Sequence, residues 1–204
     1  EFEDFVYSAT NIDWKKESKK MHKVYNVMSK GNEVRIVHDD TDLKFNIKGR
    51  KFVIADGSYN MPDGEIFTAP VDNSANGYVQ FSFPSIYLGR EVDGMRLEFK
   101  NGEVVKATAK KNEHLLNSLI KMDQGSRRLG EFGIGLNYNI KRNIKQILFD
   151  EKIGGTIHLA LGSAYKECKG INKSGLHWDM IKDLRNGGKV YLDGKLVHKN
   201  GKWL

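Results

Sequence analysis

With 204 residues the chain can bury a real core, as one domain or as one domain and a small appendage. Its 39% hydrophobic and 29% charged residues exclude wholesale disorder, and no apolar run is long enough to cross a bilayer as a helix. The formal net charge of +7 raises the question of nucleic acid, but much of the excess sits in Lys15, Lys16, Lys19, Lys20 and Lys23, interleaved with apolar residues at helical spacing.

The opening Glu1-Phe2-Glu3-Asp4 lacks the basic and apolar regions of a signal peptide. Cys168 is the single cysteine, so no internal disulfide can form, and a reducing, cytoplasmic setting is expected. From Ile12 to Ser29 the spacing predicts an amphipathic helix with Trp14, Met21, Val24, Tyr25 and Met28 on one face and Gly31 as its stop. The lysines then form a solvated outer face. No aromatic-interleaved basic strand follows, so neither a nucleic-acid nor a membrane partner is expected.

Beyond that helix the period shortens to two. Strands are predicted at Glu33 to His38 and Leu43 to Ile47 around the turn Asp39-Asp40-Thr41, and again at Tyr78 to Phe83. Arg96 to Phe99 and Val104 to Thr108 flank Asn101-Gly102, a strong hairpin signal. Asn112 is the expected cap of a helix with Leu115, Leu116, Leu119 and Ile120 as its buried stripe. Strands at Phe132 to Leu136 and Thr156 to Leu161 follow, then a hairpin of Lys189 to Leu192 and Lys195 to His198 turning at Asp193-Gly194. The fold class is therefore α+β, predominantly antiparallel β with two or three helices and the option of a partly closed barrel.

Few residues invite chemistry. His22 and His114 fall on helix surfaces and His198 on an edge hairpin, where solvation explains them. His38 is followed by Asp39, Asp40 and Asp42, which a hairpin turn accounts for because Asp and Thr cap their own backbone there, with a cation site as the lesser alternative. His177-Trp178-Asp179 in a strand would place His177 and Asp179 on one face with Trp178 packing behind. His158 interrupts the apolar Thr156-Ile157-His158-Leu159-Ala160-Leu161, where a buried imidazole needs partners for both nitrogens, from backbone or from a metal. Glu65 ends the turn Pro62-Asp63-Gly64, and Glu131 sits among glycines and apolar residues. Each carboxylate is costly unless paired, and Arg127 or Arg128 would be the ordinary partner for Glu131.

Five ordered blocks carry a resemblance. They are Met61-Pro62-Asp63-Gly64-Glu65-Ile66-Phe67-Thr68-Ala69-Pro70, Arg128-Leu129-Gly130-Glu131-Phe132-Gly133-Ile134-Gly135, Ile157-His158-Leu159-Ala160-Leu161-Gly162, Ala164-Tyr165 and His177-Trp178-Asp179, with Thr41-Asp42-Leu43 as a further match. Together they resemble the thermophilic aminopeptidase family, which includes aminopeptidases T and S and PepS-type enzymes. The resemblance covers essentially the whole chain. It implies two divalent cations (Zn, Co or Mn) held by Glu65, Glu131, His158, Tyr165, His177 and Asp179. It also implies peptide substrates with a free N-terminus and a homodimer for the full-length form. Family enzymes are roughly twice as long, with an N-terminal domain ahead of the matched region. Residues 1–204 are thus expected to be a single catalytic domain from the C-terminal part.

Two divalent ions bring four positive charges, and Glu65, Glu131 and Asp179 with one bridging hydroxide would balance them. The resemblance implies that activated water attacks the first peptide carbonyl. Glu65 and Glu131 share the bridging and general-base roles in an order left open, and Tyr165 is either a weak ligand or a donor to the oxyanion. The competing expectation is a metal-stabilised, non-catalytic peptide-binding or assembly domain.

Overall fold

Two helices precede the first strand in the computed structural model, which describes residues 1–204: α1 (Phe2–Thr10) and α2 (Trp14–Met28). The Asp13 side chain caps α2 by accepting from Lys16 N at 3.1 Å. Met21, Val24 and Met28 are buried while Lys15, Lys16, Lys19, Lys20 and Lys23 are exposed, as the apolar stripe requires. No sequence signal marked α1. It buries only Ala9 and is anchored from outside, by Phe5 against the Phe149 ring at 5.8 Å.

The strands are β1 (Glu33–His38), β2 (Thr41–Asn46), β3 (Val53–Ala55), β4 (Glu65–Thr68), β5 (Asn76–Gln80), β6 (Ser85–Tyr87), β7 (Arg90–Val92), β8 (Arg96–Lys100) and β9 (Glu103–Thr108). After α3 (Glu113–Leu119) come β10 (Leu129–Gly135), the single turn α4 (Ile147–Asp150), β11 (Thr156–Gly162), β12 (His177–Asp183), β13 (Lys189–Leu192), β14 (Lys195–Lys199) and β15 (Lys202–Trp203). The fold is α+β with four helices where two or three were expected. Its antiparallel sheets stay open. One has eight strands in the order β15-β14-β13-β1-β2-β5-β8-β9, one has five in the order β12-β11-β10-β4-β3, and β6 pairs with β7. The hairpins at Asn101-Gly102 and Asp193-Gly194 form as predicted, with positive φ at all four residues.

Two other expectations fail. Asn112 adopts a left-handed conformation and does not cap α3; its side chain donates instead to Glu91 O at 2.7 Å, tying the helix to β7. His198 is not on a solvated edge, because β15 pairs with β14 and covers it, and the ring is buried 5.0 Å from Trp203.

The eight- and five-stranded sheets contribute their inward side chains to one core of 35 buried residues. Phe45 of β2 meets Phe132 of β10 edge-on at 5.1 Å across it. Burial of such rings supplies most of the drive for packing, about 25 cal/mol per Å² of apolar surface. In the five-stranded sheet this core consumes Ile54, Ile66, Phe132, Ile134, Ile157, Leu159, Leu161, Trp178 and Met180, which alternate along their strands. The opposite face of the same sheet is left for the polar residues.

Candidate metal centre

That opposite face can be read from the register. Val53 lies across from Phe67 and Ala55 from Glu65, while Phe67 lies across from Gly133 and Glu65 from Gly135. Gly133 then faces His158, Ala160 lies between Glu131 and Asp179, and Gly162 faces His177. Every large polar residue therefore has a glycine or alanine as its cross-strand neighbour. These small residues give the site its room. A methyl group added at Gly133 would overlap the His158 imidazole, closest at Nε2.

Five of the six residues expected to bind metal converge there. His158 Nε2 is 3.2 Å from Glu65 Oε2 and 3.4 Å from Glu131 Oε1, and His177 Nε2 is 3.2 Å from Glu131 Oε2 and 3.4 Å from Asp179 Oδ2. Glu131 thus offers one oxygen to each imidazole. The remaining ring nitrogens are committed to backbone: His158 Nδ1 donates to Glu151 O at 3.1 Å and His177 Nδ1 to Ser163 O at 2.8 Å. This fixes both rings with Nε2 aimed inward, the arrangement that second partners impose on metal-binding histidines. Tyr165, the sixth, is half exposed beside the group, its ring 5.1 Å from His177 and 5.3 Å from Phe67. The ordinary partner suggested for Glu131 is not used, since Arg128 pairs with Glu103 at 2.5 Å.

Two residues escaped the sequence reading. Glu151, at the end of α4, joins Glu65 and His158 in one group of converging donor atoms, while Glu131, His177 and Asp179 form another. Lys152 is fully buried, with Nζ 3.2 Å from Glu65 Oε1 and in contact with Glu151 Oε1. Asp150-Glu151-Lys152 reads as an ordinary charged turn. The one available signal was the following Ile153-Gly154-Gly155, which leads that turn straight into the strand bearing His158.

The site is electrostatically loaded. Burial, with Glu151 nearby, pushes the Glu65 carboxyl up to about 8. Burial pushes Glu131 in the same direction, but hydrogen bonds from His158 and His177 outweigh it and hold Glu131 down at about 2. Burial would lower both imidazoles, yet the surrounding carboxylates raise His158 to about 10 and His177 to about 11. Two buried acceptors, Glu65 Oε2 and Asp179 Oδ1, still have no hydrogen-bond donor. The 3.2 Å approach of His158 to Glu65 Oε2 lacks the angle of a hydrogen bond. Carboxylate and imidazole donors suit Zn, Co or Mn, and orphaned acceptors of this kind call for a cation. Each of the two donor groups fits a metal ion. With cations bound and all four carboxyls ionised, Glu65, Glu131, Glu151 and Asp179 would carry four negative charges and Lys152 one positive, a net of minus three that one hydroxide would complete against two divalent ions.

His38 is no cation site. Its Nδ1 pairs with Asp40 at 3.0 Å and its Nε2 donates to Asn186 O at 2.8 Å, and Asp40 is also paired with the buried Lys182 at 2.5 Å. No helix is long and apolar enough to cross a membrane.

Aminopeptidase PepS of Streptococcus thermophilus is 34% identical over 167 residues, covering 71% of this chain and 40% of its own length. Aminopeptidase AmpS of Bacillus subtilis (strain 168) is 32% identical over 166 residues, with the same coverages. The chain therefore spans about 40% of the length of these relatives. The solved structure of wild-type AmpT from Thermus thermophilus superposes with a TM-score of 0.88 at 26% identity, covering 98% of this chain and 57% of that one. The sequence profile of the thermophilic metalloproteases (M29) matches residues 4–203, and the chain belongs to that family.

Proposed function

We propose that this chain is the metal-binding part of an aminopeptidase that removes N-terminal residues from peptides with two divalent cations. Glu65, Glu151 and His158 would hold one ion and Glu131, His177 and Asp179 the other. The observation that carries this reading is Glu131, which directs one oxygen toward each histidine and so stands where a bridging carboxylate belongs. Of the two glutamates open to that role, the geometry favours Glu131. When bound, the cations would polarise the scissile carbonyl and make water a competent nucleophile near neutral pH. The chain's own contribution is orientation. Backbone carbonyls fix both imidazoles, and Lys152 steadies Glu65 and Glu151. Tyr165 lines the same cavity, and its phenol is pushed above its ordinary value by burial and by Glu131 and Asp179. A neutral hydroxyl there is suited to donate to the oxyanion that develops on the attacked carbonyl.

A second reading follows from chain length: a domain covering 40% of its relatives can hold metal and bind peptides without turnover. Metal content per chain, together with hydrolysis of Leu-p-nitroanilide with and without chelator, separates the two. Two ions and chelator-sensitive turnover are expected, with Glu131→Gln abolishing turnover in a folded protein. Metal without turnover favours the binding domain, and a folded chain that takes up no divalent ion ends both.

A further inference from the structure

The cavity beside the two donor groups has a half that they do not use. We propose that this half is the pocket for the side chain of the substrate's N-terminal residue, admitting apolar side chains and rejecting acidic ones. The proposal rests on the aminopeptidase reading above.

The metal-binding face continues past Glu65 onto β3, the edge strand of its sheet. Ala55 lies across from Glu65 and Val53 across from Phe67, so all four side chains share one face. Polarity therefore changes from carboxylate to hydrocarbon within one strand spacing, about 4.8 Å. The Tyr165 ring lies against Phe67 and walls the pocket on the side of His177. Tyr59, largely exposed, stands at the mouth. Its loop is held by the fully buried Asp63, whose Oδ2 accepts from Gly57 N at 2.8 Å, Tyr59 N at 3.2 Å and Asn60 N at 3.3 Å. The mouth is thus built on a fixed loop.

Size and charge narrow the occupant. The cavity holds about 250 Å³. That is below the roughly 300–1,000 Å³ of sites for drug-sized ligands, so it has room for one residue but not for several. Five carboxylates line it (Glu65, Glu131, Glu151, Glu167 and Asp179), and no lysine or arginine does. Cations at the two donor groups would answer the first three and Asp179, but nothing answers a carboxylate carried by the substrate into the apolar end. An aspartate or glutamate side chain there would be desolvated without a partner, next to Glu167 at the rim. A leucine or methionine would instead exchange water for Val53, Ala55 and Phe67. Each methylene so buried is worth about 10–200-fold in discrimination.

Val53 tests this without disturbing the cross-strand neighbour of Glu65. With the metal-loaded chain, kcat/KM for Leu-p-nitroanilide should exceed that for Ala-p-nitroanilide at least 10-fold and that for Glu-p-nitroanilide at least 100-fold. Val53→Phe fills the apolar end and should lower the Leu-to-Ala ratio at least 10-fold. Val53→Lys supplies the missing cation and should raise the Glu-to-Leu ratio by a similar factor. Calorimetric binding of free L-leucine and L-glutamate provides a readout independent of turnover, with leucine at least 10-fold tighter and the order inverted by Val53→Lys. Equal rates for Leu and Glu substrates, or ratios that neither folded variant moves, overturn the pocket. If no p-nitroanilide is cleaved, the aminopeptidase reading falls, and the calorimetry alone decides: a leucine preference inverted by Val53→Lys upholds the pocket, and its absence overturns it.

Discussion

Gly133 and His158 face each other across β10 and β11, and the imidazole occupies the space that any side chain at position 133 would fill. The glycine is needed here for volume, since its backbone is an ordinary strand. Gly133→Ala should displace Nε2 from Glu65 and Glu131 and weaken metal binding about 10–100-fold, the range seen when supports of metal ligands are removed. Titration with zinc or cobalt checks it. Unchanged affinity in the variant would show that the ring position does not matter to binding.

Glu151 separates the two donor groups experimentally. Glu151→Gln keeps size and polarity but removes a charge from the group containing Glu65 and His158, leaving Glu131, His177 and Asp179 intact. One tightly held ion per chain is expected in place of two. Elemental analysis after dialysis gives the count, and two retained ions would remove Glu151 from the ligand set.

Lys152 is a buried ammonium between two carboxylates, and its loss leaves Glu151 unpaired and Glu65 with His158 alone. Removing one partner of a buried ion pair costs about 3–5 kcal/mol. Lys152→Met should therefore lower the Tm of the metal-free chain by roughly 6–12 °C at the lower end of that cost. Added divalent ion supplies the missing positive charge, so most of the loss should be recovered in the metal-loaded protein. A Tm deficit equal with and without metal would contradict the electrostatic account.

His198 predicts a pH dependence away from the site. Burial lowers its pKa from 6.5 to about 4, and Nδ1 has no hydrogen-bond partner. Between those values the unfolded chain binds the proton and the folded chain does not. The stability contribution is thus complete above pH 6.5 and is lost as pH falls toward 4, at up to about 1.4 kcal/mol per pH unit. Urea denaturation at several pH values should show the wild type losing stability relative to His198→Leu on acidification. Curves that stay parallel would mean the histidine ionises alike in both states.

Several parts of the molecule were legible without coordinates. The period of 3.6 from Trp14 to Met28, the period of 2 in β1 and β8, and the two hairpin dipeptides are local signals, because each reports which side chains share a face or which φ a turn requires. His177 and Asp179 were readable for the same reason. Asn112 and His198 were misread because their surroundings come from elsewhere in the chain: Glu91 O for one, the cover of β15 for the other. α1 was missed because its anchor, Phe149, is more than a hundred residues away.

By itself the sequence determined the type of the strongly periodic elements, α2, β1, β8, β9, β11, β13 and β14 among them, and the set of blocks that resemble one family. Tertiary structure alone decided that Glu131 lies between His158 and His177, that Glu151 and Lys152 belong to the same centre, and that the carboxylate face runs on into Val53 and Phe67. Periodicity acts over a few residues along one strand. Cross-strand register and burial depend on pairings between distant segments, and those pairings set where charge can be kept out of water.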